Sequence, residues 1–415
     1  MAYTETKTTG YGQRIGQSFK NVLGGIFLFL AASGLLWWNE GNFVKTRAAL
    51  EEAQGAVRTL DDIGKVDAAN NGQLVHATGL AETKDMLEDP FFEISVNAIS
   101  LGRTVEYYQW VEEKSTTKKN NTGGSETKTT TYTYKQEWSD KQIKSAEFAN
   151  PDAQQQKKNT VIAPELEDLK VQAANVAFGA YRLPKFLINS INNTEAFNVT
   201  LSDEKVAGLN KRFAPSAPPP GGGVEAEAPA EPPKMVHVNG DSVYLGLSPE
   251  QPRIGDIRVK FTKTPASVTV SLIAKVVGES FEEYVSKNGR SVSMLSVGTH
   301  SMENMFGQAH AGNAMLTWIL RAVGIFGVCI GLMLVMAPLS TLASVIPFLG
   351  NLVGAGTTLF GLLAGLAWSF LVIALAWLFY RPLIGILILA AAVASICFLV
   401  SKVRSIRSAK AQANG

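Results

Sequence analysis

No charged residue interrupts the stretch from Ala322 to Tyr380, which reads AVGIFGVCIGLMLVMAPLSTLASVIPFLGNLVGAGTTLFGLLAGLAWSFLVIALAWLFY. A second uncharged run follows almost directly, from Pro382 to Ser401. The hydrocarbon core of a bilayer is about 30 Å thick and needs roughly 20 helical residues to cross it. Because backbone groups in lipid must hydrogen-bond to one another, such runs are expected to be helices. The first run therefore predicts two crossings with residues to spare, and the second predicts one.

An apolar segment near the N-terminus predicts a further crossing. Residues 1–21 are polar and basic, and an uncharged apolar run over 22–38 follows them. A cleaved signal peptide is the alternative, because Ala31–Gly34 resembles a small-residue cleavage site. The run continues beyond that site to Trp37 and Trp38, and tryptophan is enriched where a helix meets the membrane surface. A retained membrane anchor is therefore favoured.

The distribution of basic residues predicts the orientation. The N-terminus and the tail over 402–415 carry Lys and Arg, which are enriched on the cytosolic side of membranes. Both ends on one side require an even number of crossings. We therefore predict four spans, at 22–38, 315–337, 357–380 and 383–401. The remaining segment, 338–356, contains Pro338 and Pro347 and is predicted to be a re-entrant or interfacial piece on the cytosolic side.

The residues between the first two spans, 39–314, are predicted to form an extracytoplasmic domain that is large enough to bury a core. Its alternating apolar and β-branched residues predict strands, including a long aromatic hairpin over Thr104–Glu112 and Thr129–Trp138 with a polar tip. Residues 212–234 contain PPPGGG and predict a disordered insert, for which a tolerated surface insertion is favoured over a partner-binding tether. The predicted fold class is a membrane protein with four transmembrane α-helices, one N-terminal and three C-terminal, and a large β-rich α+β extracytoplasmic domain.

Composition and motifs do not predict an enzyme. The formal net charge of +2 gives no support for nucleic-acid binding. Both cysteines, Cys329 and Cys397, lie in apolar runs, so the domain has no cysteine metal site or disulfide. The sequence lacks phosphate-binding, nucleophile-elbow and zinc-protease motifs. We predict no catalytic residue, no cofactor and no metal; a membrane-anchored enzyme would require His76, Asp241 and Asp256 to cluster.

Glycines four residues apart distinguish the C-terminal apolar runs. Small residues at this spacing let helix backbones approach closely, either within one subunit or between copies, and the sequence leaves both open. Six glycines are predicted to pack helices in this way: Gly327, Gly331, Gly350, Gly354, Gly361 and Gly365. The lack of ionisable residues deep in the predicted spans argues against a transporter. A channel or transporter-like bundle is nevertheless the alternative, because a re-entrant piece at 338–353 could line a cavity.

Several short strings follow one another in order along the chain. NEG comes directly after the first span, and WLFYRPL closes the third. The residues that carry these strings are Asn39, Glu40, Gly41, His76, Tyr108, Gln109, Trp110, Trp138, Asp256, Arg258, Trp377, Tyr380, Arg381 and Pro382. In order and spacing they resemble the LUMA family (transmembrane protein 43), which has one N-terminal span, a large luminal domain and three C-terminal spans.

The resemblance implies an integral, multi-pass membrane protein without established catalytic residues. In an animal host it implies the inner nuclear membrane and endoplasmic reticulum, self-association, and organisation of the nuclear envelope with emerin and lamins. In a bacterium it implies the inner membrane with a periplasmic domain, where emerin and lamins cannot be partners. We therefore predict a non-enzymatic membrane scaffold. Its predicted partners are the lipid bilayer, further copies of the chain and other membrane or envelope proteins, with no nucleic acid.

Overall fold

Three long helices dominate the computed structural model, which describes residues 2–214 and 233–381. The helices are α1 Tyr11–Ala56, α2 Pro151–Gln156, α3 Lys185–Ile188, α4 Asp203–Phe213, α5 Met302–Ala343 and α6 Pro347–Tyr380. Helices α1, α5 and α6 are each long and apolar enough to cross a membrane, and we call these three helices the stem. Within the described residues the candidate spans therefore number three. The predicted fourth span, 383–401, lies outside them, as does the tail over 402–415.

Helices α1 and α5 extend well beyond the predicted spans 22–38 and 315–337. Helix α1 has 46 residues, which makes it about 69 Å long at 1.5 Å per residue. That length is more than twice the thickness of the hydrocarbon core. In its C-terminal part, Ala49 and Ala53 are buried in one cluster with Phe306 of α5. The predicted boundary between span and domain at residue 39 consequently does not coincide with the end of a helix.

The segment 338–356, predicted to be re-entrant or interfacial, consists of two helix ends and the turn between them. Helix α5 continues through Pro338 to Ala343, and α6 begins at Pro347. Proline is favourable at the start of a helix, because its missing N–H needs no partner there. Helices α5 and α6 therefore form an antiparallel helical hairpin, and the location of this segment relative to the membrane stays a prediction. The channel alternative depended on this segment, and nothing in the described part of the chain favours it.

The domain consists of two larger β-sheets and a small two-stranded one. In chain order the strands are β1 Tyr3–Thr9, β2 Arg58–Thr59, β3 Leu74–Thr83, β4 Met86–Asp89, β5 Ile94–Asn120, β6 Glu126–Ser139, β7 Leu169–Gln172, β8 Val176–Phe178, β9 Tyr181–Arg182, β10 Glu195–Ala196, β11 Val236–Asn239, β12 Ser242–Leu245, β13 Ile257–Pro265, β14 Ser267–Val277, β15 Ser280–Glu282, β16 Tyr284–Val285, β17 Ser291–Val292 and β18 Met294–Val297. The prediction of a β-rich domain is confirmed.

The order of the strands places two apolar cores in the domain. The first sheet runs β1-β6-β5-β13-β12-β11, with β4 and β7 beside β5 and β10 beside β13. The second runs β18-β14-β15-β9-β8-β3-β2, with β14 also beside β3. One core is built around Phe178 and Leu272 of the second sheet, and the other around Leu245 and Phe261 of the first. Strands β16 and β17 pair separately near the stem.

Residues 215–232, which make up most of the predicted disordered insert 212–234, lie outside the described residues. The first residues of that prediction, Arg212 and Phe213, end helix α4. Phe213 is buried in the core of the first sheet. The predicted insert therefore overlaps a packed helix at these two residues.

A three-stranded ribbon runs from the domain along the stem. Residues 107–120 of β5 pair with β6, and β1 pairs with β6 on its other side. At about 3.4 Å per residue this ribbon is roughly 45 Å long. Its tip contacts the distant end of the stem, where Arg14 donates to the carbonyl of Gly124 over 2.6 Å and Gly123 donates to the carbonyl of Val345 over 3.0 Å. The N-terminus and the hairpin tip, predicted on opposite sides of the membrane, are thus in contact.

Candidate functional site

The stem helices meet the domain at a set of buried and half-buried residues, most of which are polar. We call this set the junction; it comprises Asn39, Glu40, Gly41, Thr317, Arg321, Trp377 and Tyr380. In α1 the residues Asn39 and Glu40 are completely buried, although they follow directly on the apolar run. Helix α5 runs antiparallel to α1 and brings Thr317 and Arg321 to the same level, and the end of α6 returns to it.

The centre of the junction is an ion pair between Glu40 and Arg321. Arg321 donates through Nε to Glu40 Oε1 over 2.6 Å and through Nη2 to Oε2 over 2.8 Å, which is a bidentate arrangement. The indole Nε1 of Trp377 also donates to Glu40 Oε2, over 2.8 Å. One carboxylate therefore ties α1 to both α5 and α6. Charge-assisted bidentate pairs are among the stronger hydrogen bonds in proteins and fix geometry as well as energy.

Aromatic rings surround the cations of the junction. The guanidinium carbon of Arg321 lies 4.7 Å from the ring centroid of Trp318 and 5.7 Å from that of Trp377. Arg381, at the end of α6, lies 4.7 Å from the ring centroid of Phe43 on α1. Such cation–π contacts suit a site at the membrane surface, where a ring can cover a charge that water solvates only partly.

Asn39 and Gly41 allow the helices to pack closely at the junction. The amide nitrogen of Asn39 donates to the carbonyl of Thr317 over 3.1 Å, whereas its Oδ1 is buried without a partner within the described chain. A Cβ added at Gly41 would lie 2.5 Å from Cζ of Tyr380. Any larger residue at this position would therefore displace that ring. Asn39, Glu40 and Gly41, which follow one another in sequence, each contact a different part of the stem.

A second group of residues lies on one face of the first sheet, and we call it the aromatic ladder. It consists of Tyr108, Trp138, Tyr244 and Arg258, which come from four adjacent strands. The ring centroids of Tyr108 and Trp138 are 5.3 Å apart, and those of Trp138 and Tyr244 are 6.2 Å apart. Arg258 lies 4.6 Å from the centroid of Trp138. Cross-strand pairs of this kind stabilise a sheet, which makes the ladder the base of the ribbon.

Two carboxylates fix the polar groups of the ladder. Glu106 accepts from Nε of Arg258 over 2.7 Å, and this hydrogen bond holds the pKa of Glu106 below its ordinary value. Asp256 accepts from the hydroxyl of Tyr244 over 2.5 Å. Burial, together with the hydrogen bond to Asp256, raises the pKa of Tyr244 far above its ordinary value. The Asp256 carboxylate therefore accepts from two donors, the phenol of Tyr244 and the backbone N–H of Arg253.

Gln109 and Trp110, which also belong to the family strings, bind the loop that follows β6. Gln109 is completely buried, donates to the carbonyl of Lys141 and accepts from the N–H of Ile143. The N–H and carbonyl of Trp110 are both bonded to the side chain of Asn159. These contacts attach residues 141–159 to the ribbon.

The three residues required by the enzyme hypothesis do not form a site. His76 lies on β3 of the second sheet, where its Nε2 is 3.0 Å from the carbonyl oxygen of His300. Asp256 belongs to the ladder of the first sheet, and Asp241 lies in the turn between β11 and β12. Over residues 2–214 and 233–381, no group of three or more His, Cys, Asp or Glu side chains is placed to hold a metal ion.

The predicted packing glycines face neighbouring helices of the same chain. A Cβ added at Gly327 would lie 2.8 Å from Cβ of Ala32, and one at Gly331 would lie 2.8 Å from the backbone nitrogen of Phe29. A Cβ added at Gly350, Gly361 or Gly365 would likewise lie under 3.0 Å from an atom of Ser344, Met333 or Cys329, respectively. A Cβ added at Gly354 would lie 3.7 Å from Cβ of Ser340, which is ordinary contact. These contacts are within one subunit, so any contact between copies needs a different surface.

Sequence reasoning missed the partners that complete both groups. It did not pair Arg321 with Glu40, and it did not assign Tyr244 or Glu106 to the ladder. A signal for the first pair exists. Glu40 is the first charged residue after the N-terminal apolar run, and Arg321 is the last before the long C-terminal one. Two antiparallel spans place such residues at one level.

The stem and the two residue groups define a class of membrane protein in which a β-rich domain shares its helices with a transmembrane bundle. A family model described as Transmembrane protein 43 matches residues 107–382. The chain therefore belongs to the Transmembrane protein 43 family, and the resemblance to the LUMA family is confirmed.

Relatives in several animals align with most of the chain. Transmembrane protein 43 of Mus musculus is 30% identical over 395 residues, covering 93% of this chain and 90% of the relative. The protein of the same name in Homo sapiens is 29% identical over 405 residues, covering 95% and 92%. The Transmembrane protein 43 homolog of Drosophila melanogaster is 26% identical over 385 residues, covering 88% and 90%. No solved structure matches the chain.

Proposed function

We propose that the chain is a non-enzymatic, multi-pass membrane scaffold that self-associates and organises the membrane or envelope in which it lies. The observation that carries this proposal is the continuity of the stem with the domain. Helices α1 and α5 pass from the membrane into the domain without a break, and the junction holds them at a fixed relative position. A rigid attachment of this kind suits a protein that presents a surface at a defined distance from a bilayer.

Contacts above the junction support the same role. Glu52 of α1 accepts from the hydroxyl of Tyr284 over 2.9 Å and from the N–H of Lys287. Asn288 donates to the carbonyl of Lys45 over 2.7 Å. The small β16–β17 sheet is therefore bonded to the side of α1. A flexible linker between span and domain would lack such contacts.

The ribbon supports self-association. Its exposed side chains include Thr116, Thr117, Lys118 and Lys119, and it lies alongside the apolar length of the stem. Strands with open edges and polar side chains are not tolerated in hydrocarbon and occur at membrane depth only where protein or water covers them. A second copy of the chain is the cover that we propose. The stem glycines already pack within one subunit, so the ribbon is the surface we assign to association.

In an animal host, membership of the family supports the inner nuclear membrane and endoplasmic reticulum as the location, with emerin and lamins as partners. In a bacterial host the location would be the inner membrane, with a periplasmic domain. Purification of the intact protein from its own membrane, followed by identification of the proteins that co-purify, distinguishes these partners. Recovery of the chain alone would contradict a scaffold role that involves other envelope proteins.

Self-association is tested by crosslinking in native membranes. A variant with Cys329→Ala and Cys397→Ala receives a single thiol through Thr117→Cys in the ribbon or, as the matched control, Glu250→Cys in an exposed loop of the domain. A bifunctional thiol reagent is expected to produce dimers or larger species from the ribbon variant and much less from the control. Monomers alone from the ribbon variant at every expression level would contradict the proposal.

A further inference from the structure

A cavity of about 540 Å³ opens where the stem meets the domain. We call it the stem cavity. Its walls are the two helices α1 and α5 and the domain segment Arg290–Met294, which contains β17. Asn42 and Asn313 line it on the helix side. The volume is within the range of sites that bind small molecules in proteins.

One end of the stem cavity lies at the membrane surface. Trp38 and Leu316 line that end, with 54% and 48% of their surfaces exposed. Trp38 is two residues before Glu40, so it is level with the junction, where aromatic and basic side chains gather. Tryptophan prefers the headgroup region of a bilayer. The cavity therefore opens towards the lipid headgroups.

Arg290 supplies the charge of the stem cavity. Its Nη2 donates to Oδ1 of Asn42, and the ion pairs formed among the described residues do not include it. The acids nearby on α1 are engaged elsewhere: Glu51 pairs with Arg47, and Glu52 accepts from Tyr284. A guanidinium has five N–H donors in a planar fork that matches two oxygens of a phosphate. Arg290 thus retains donors for an anion.

The rest of the lining identifies the kind of anion. Ala49, Leu50 and Met294 form an apolar wall next to the polar groups. No Asp or Glu is among the described residues that line the cavity. A zwitterionic lipid would therefore find a partner for its phosphate but none for its ammonium group. An anionic phospholipid would satisfy the guanidinium and the apolar wall together.

We propose that the stem cavity binds one membrane phospholipid with an anionic headgroup. The phosphate binds Arg290, and the hydrocarbon part contacts the apolar wall and passes Trp38 and Leu316 into the bilayer. This site is independent of self-association, because it lies within one subunit. It gives the protein a means to recognise membranes by their lipid charge.

The proposal is tested with the full-length protein in nanodiscs that contain a photoreactive phosphatidylglycerol. Crosslinked peptides are expected from residues 38–50 or 290–294. Unlabelled phosphatidylglycerol should compete with the labelling, whereas phosphatidylcholine should not. Arg290→Gln is expected to reduce labelling about tenfold, which is the scale of a charge-assisted hydrogen bond. Arg47→Gln, which alters an exposed arginine of α1 that does not line the cavity, is the control and should keep full labelling.

A second variant tests the cavity independently of its charge. A Cβ added at Gly312 meets no heavy atom within 4 Å, so Gly312→Leu should fill the cavity without disturbing the fold. Labelling should then be lost. Equal competition by the two lipids, or full labelling of both Arg290→Gln and Gly312→Leu, would overturn the proposal. If Arg290→Gln does not fold, Gly312→Leu decides alone: retained labelling overturns the site and lost labelling supports it.

Discussion

Replacement of Glu40 by glutamine tests whether the junction holds the stem together. Glu40→Gln keeps the size of the side chain but leaves the guanidinium of Arg321 without its counter-charge. Removal of one partner from a buried ion pair typically costs 3–5 kcal/mol. The Arg321 side chain is 12% exposed and keeps its two tryptophan contacts, so we expect a loss near the lower limit, about 3 kcal/mol. At about 2.1 cal/mol/K of unfolding entropy per residue, over a chain of 415 residues, that loss lowers Tm by roughly 3–4 °C.

The assay is thermal unfolding of the purified full-length protein in one detergent, followed by the loss of monodisperse protein on size-exclusion chromatography. The matched control is Arg47→Gln, which breaks an ion pair with Glu51 on the same helix. Both side chains of that pair are more than half exposed. Exposed pairs contribute about 0–1 kcal/mol, so this variant should unfold close to the wild-type temperature.

A double variant separates the ion pair from other effects of the substitution. Glu40→Leu combined with Arg321→Met replaces the pair by apolar groups, a change that is often neutral or stabilising for buried pairs. The double variant should therefore be more stable than either single variant. If Glu40→Gln shifts Tm no more than Arg47→Gln does, or if the double variant loses the sum of both single losses, the ion pair of the junction does not stabilise the stem.

Three further perturbations follow from the same contacts. Gly365→Ala places a Cβ 2.8 Å from Cα of Cys329 and should lower stability by about 1–3 kcal/mol in the same detergent assay, whereas Gly34→Ala meets no atom within 4 Å and should be neutral or stabilising by up to about 1 kcal/mol. The hydrogen bond from Arg258 lowers the pKa of Glu106, so it stabilises the fold when Glu106 is ionised. This stabilisation is complete above the ordinary glutamate pKa and is lost as the pH falls below about 4.5. Glu106→Gln and Arg258→Gln should therefore each reduce the difference in Tm between pH 7 and pH 3.5, and an unchanged difference would show that the pair does not form. Arg14→Ala should release the ribbon tip and speed amide hydrogen exchange over 118–128; unchanged exchange would contradict the tip contact.

Apolar runs and β-alternation were sufficient to predict the main architecture. A charge-free run long enough to cross a bilayer has few alternatives to a helix, and the three described spans appear where such runs lie. Alternation of the kind found at Ile257, Val259 and Phe261, which are all completely buried, is also a local signal. These features depend on neighbouring residues, so a single sequence contains them.

The limits of the helices were harder to predict, because they depend on distant contacts. Helix α1 continues to Ala56 through residues whose buried face is matched by Met305 and Phe306 of α5. Hydropathy marks where a helix leaves lipid but not where it ends. Residues 3–9 form a strand only because β6 offers them an edge far away in the sequence, and nothing local predicts that pairing.

The candidate sites were predicted only in part, because their residues come from distant parts of the chain. The family strings identified Asn39, Glu40 and Trp377, which the structure brings together in the junction. The ion-pair partner of Glu40, Arg321, lies 281 positions away in the sequence, and no spacing rule connects the two. The sequence identified the individual residues of each string. The contacts between residues of different strings could be identified only from the structure.

Because α1 is one unbroken helix from the predicted span into the domain, a change in its tilt in the membrane also moves the domain. Beyond Glu40 the helix continues to Ala56, a distance of about 24 Å. Helices adjust their tilt to the local thickness of a bilayer. A change of about 10° in tilt would displace the far end of α1 by roughly 4 Å, and the β-rich domain with it. The height and tilt of the domain are thereby coupled to membrane thickness, so a thin and a thick bilayer would hold the same domain a few ångströms apart in position.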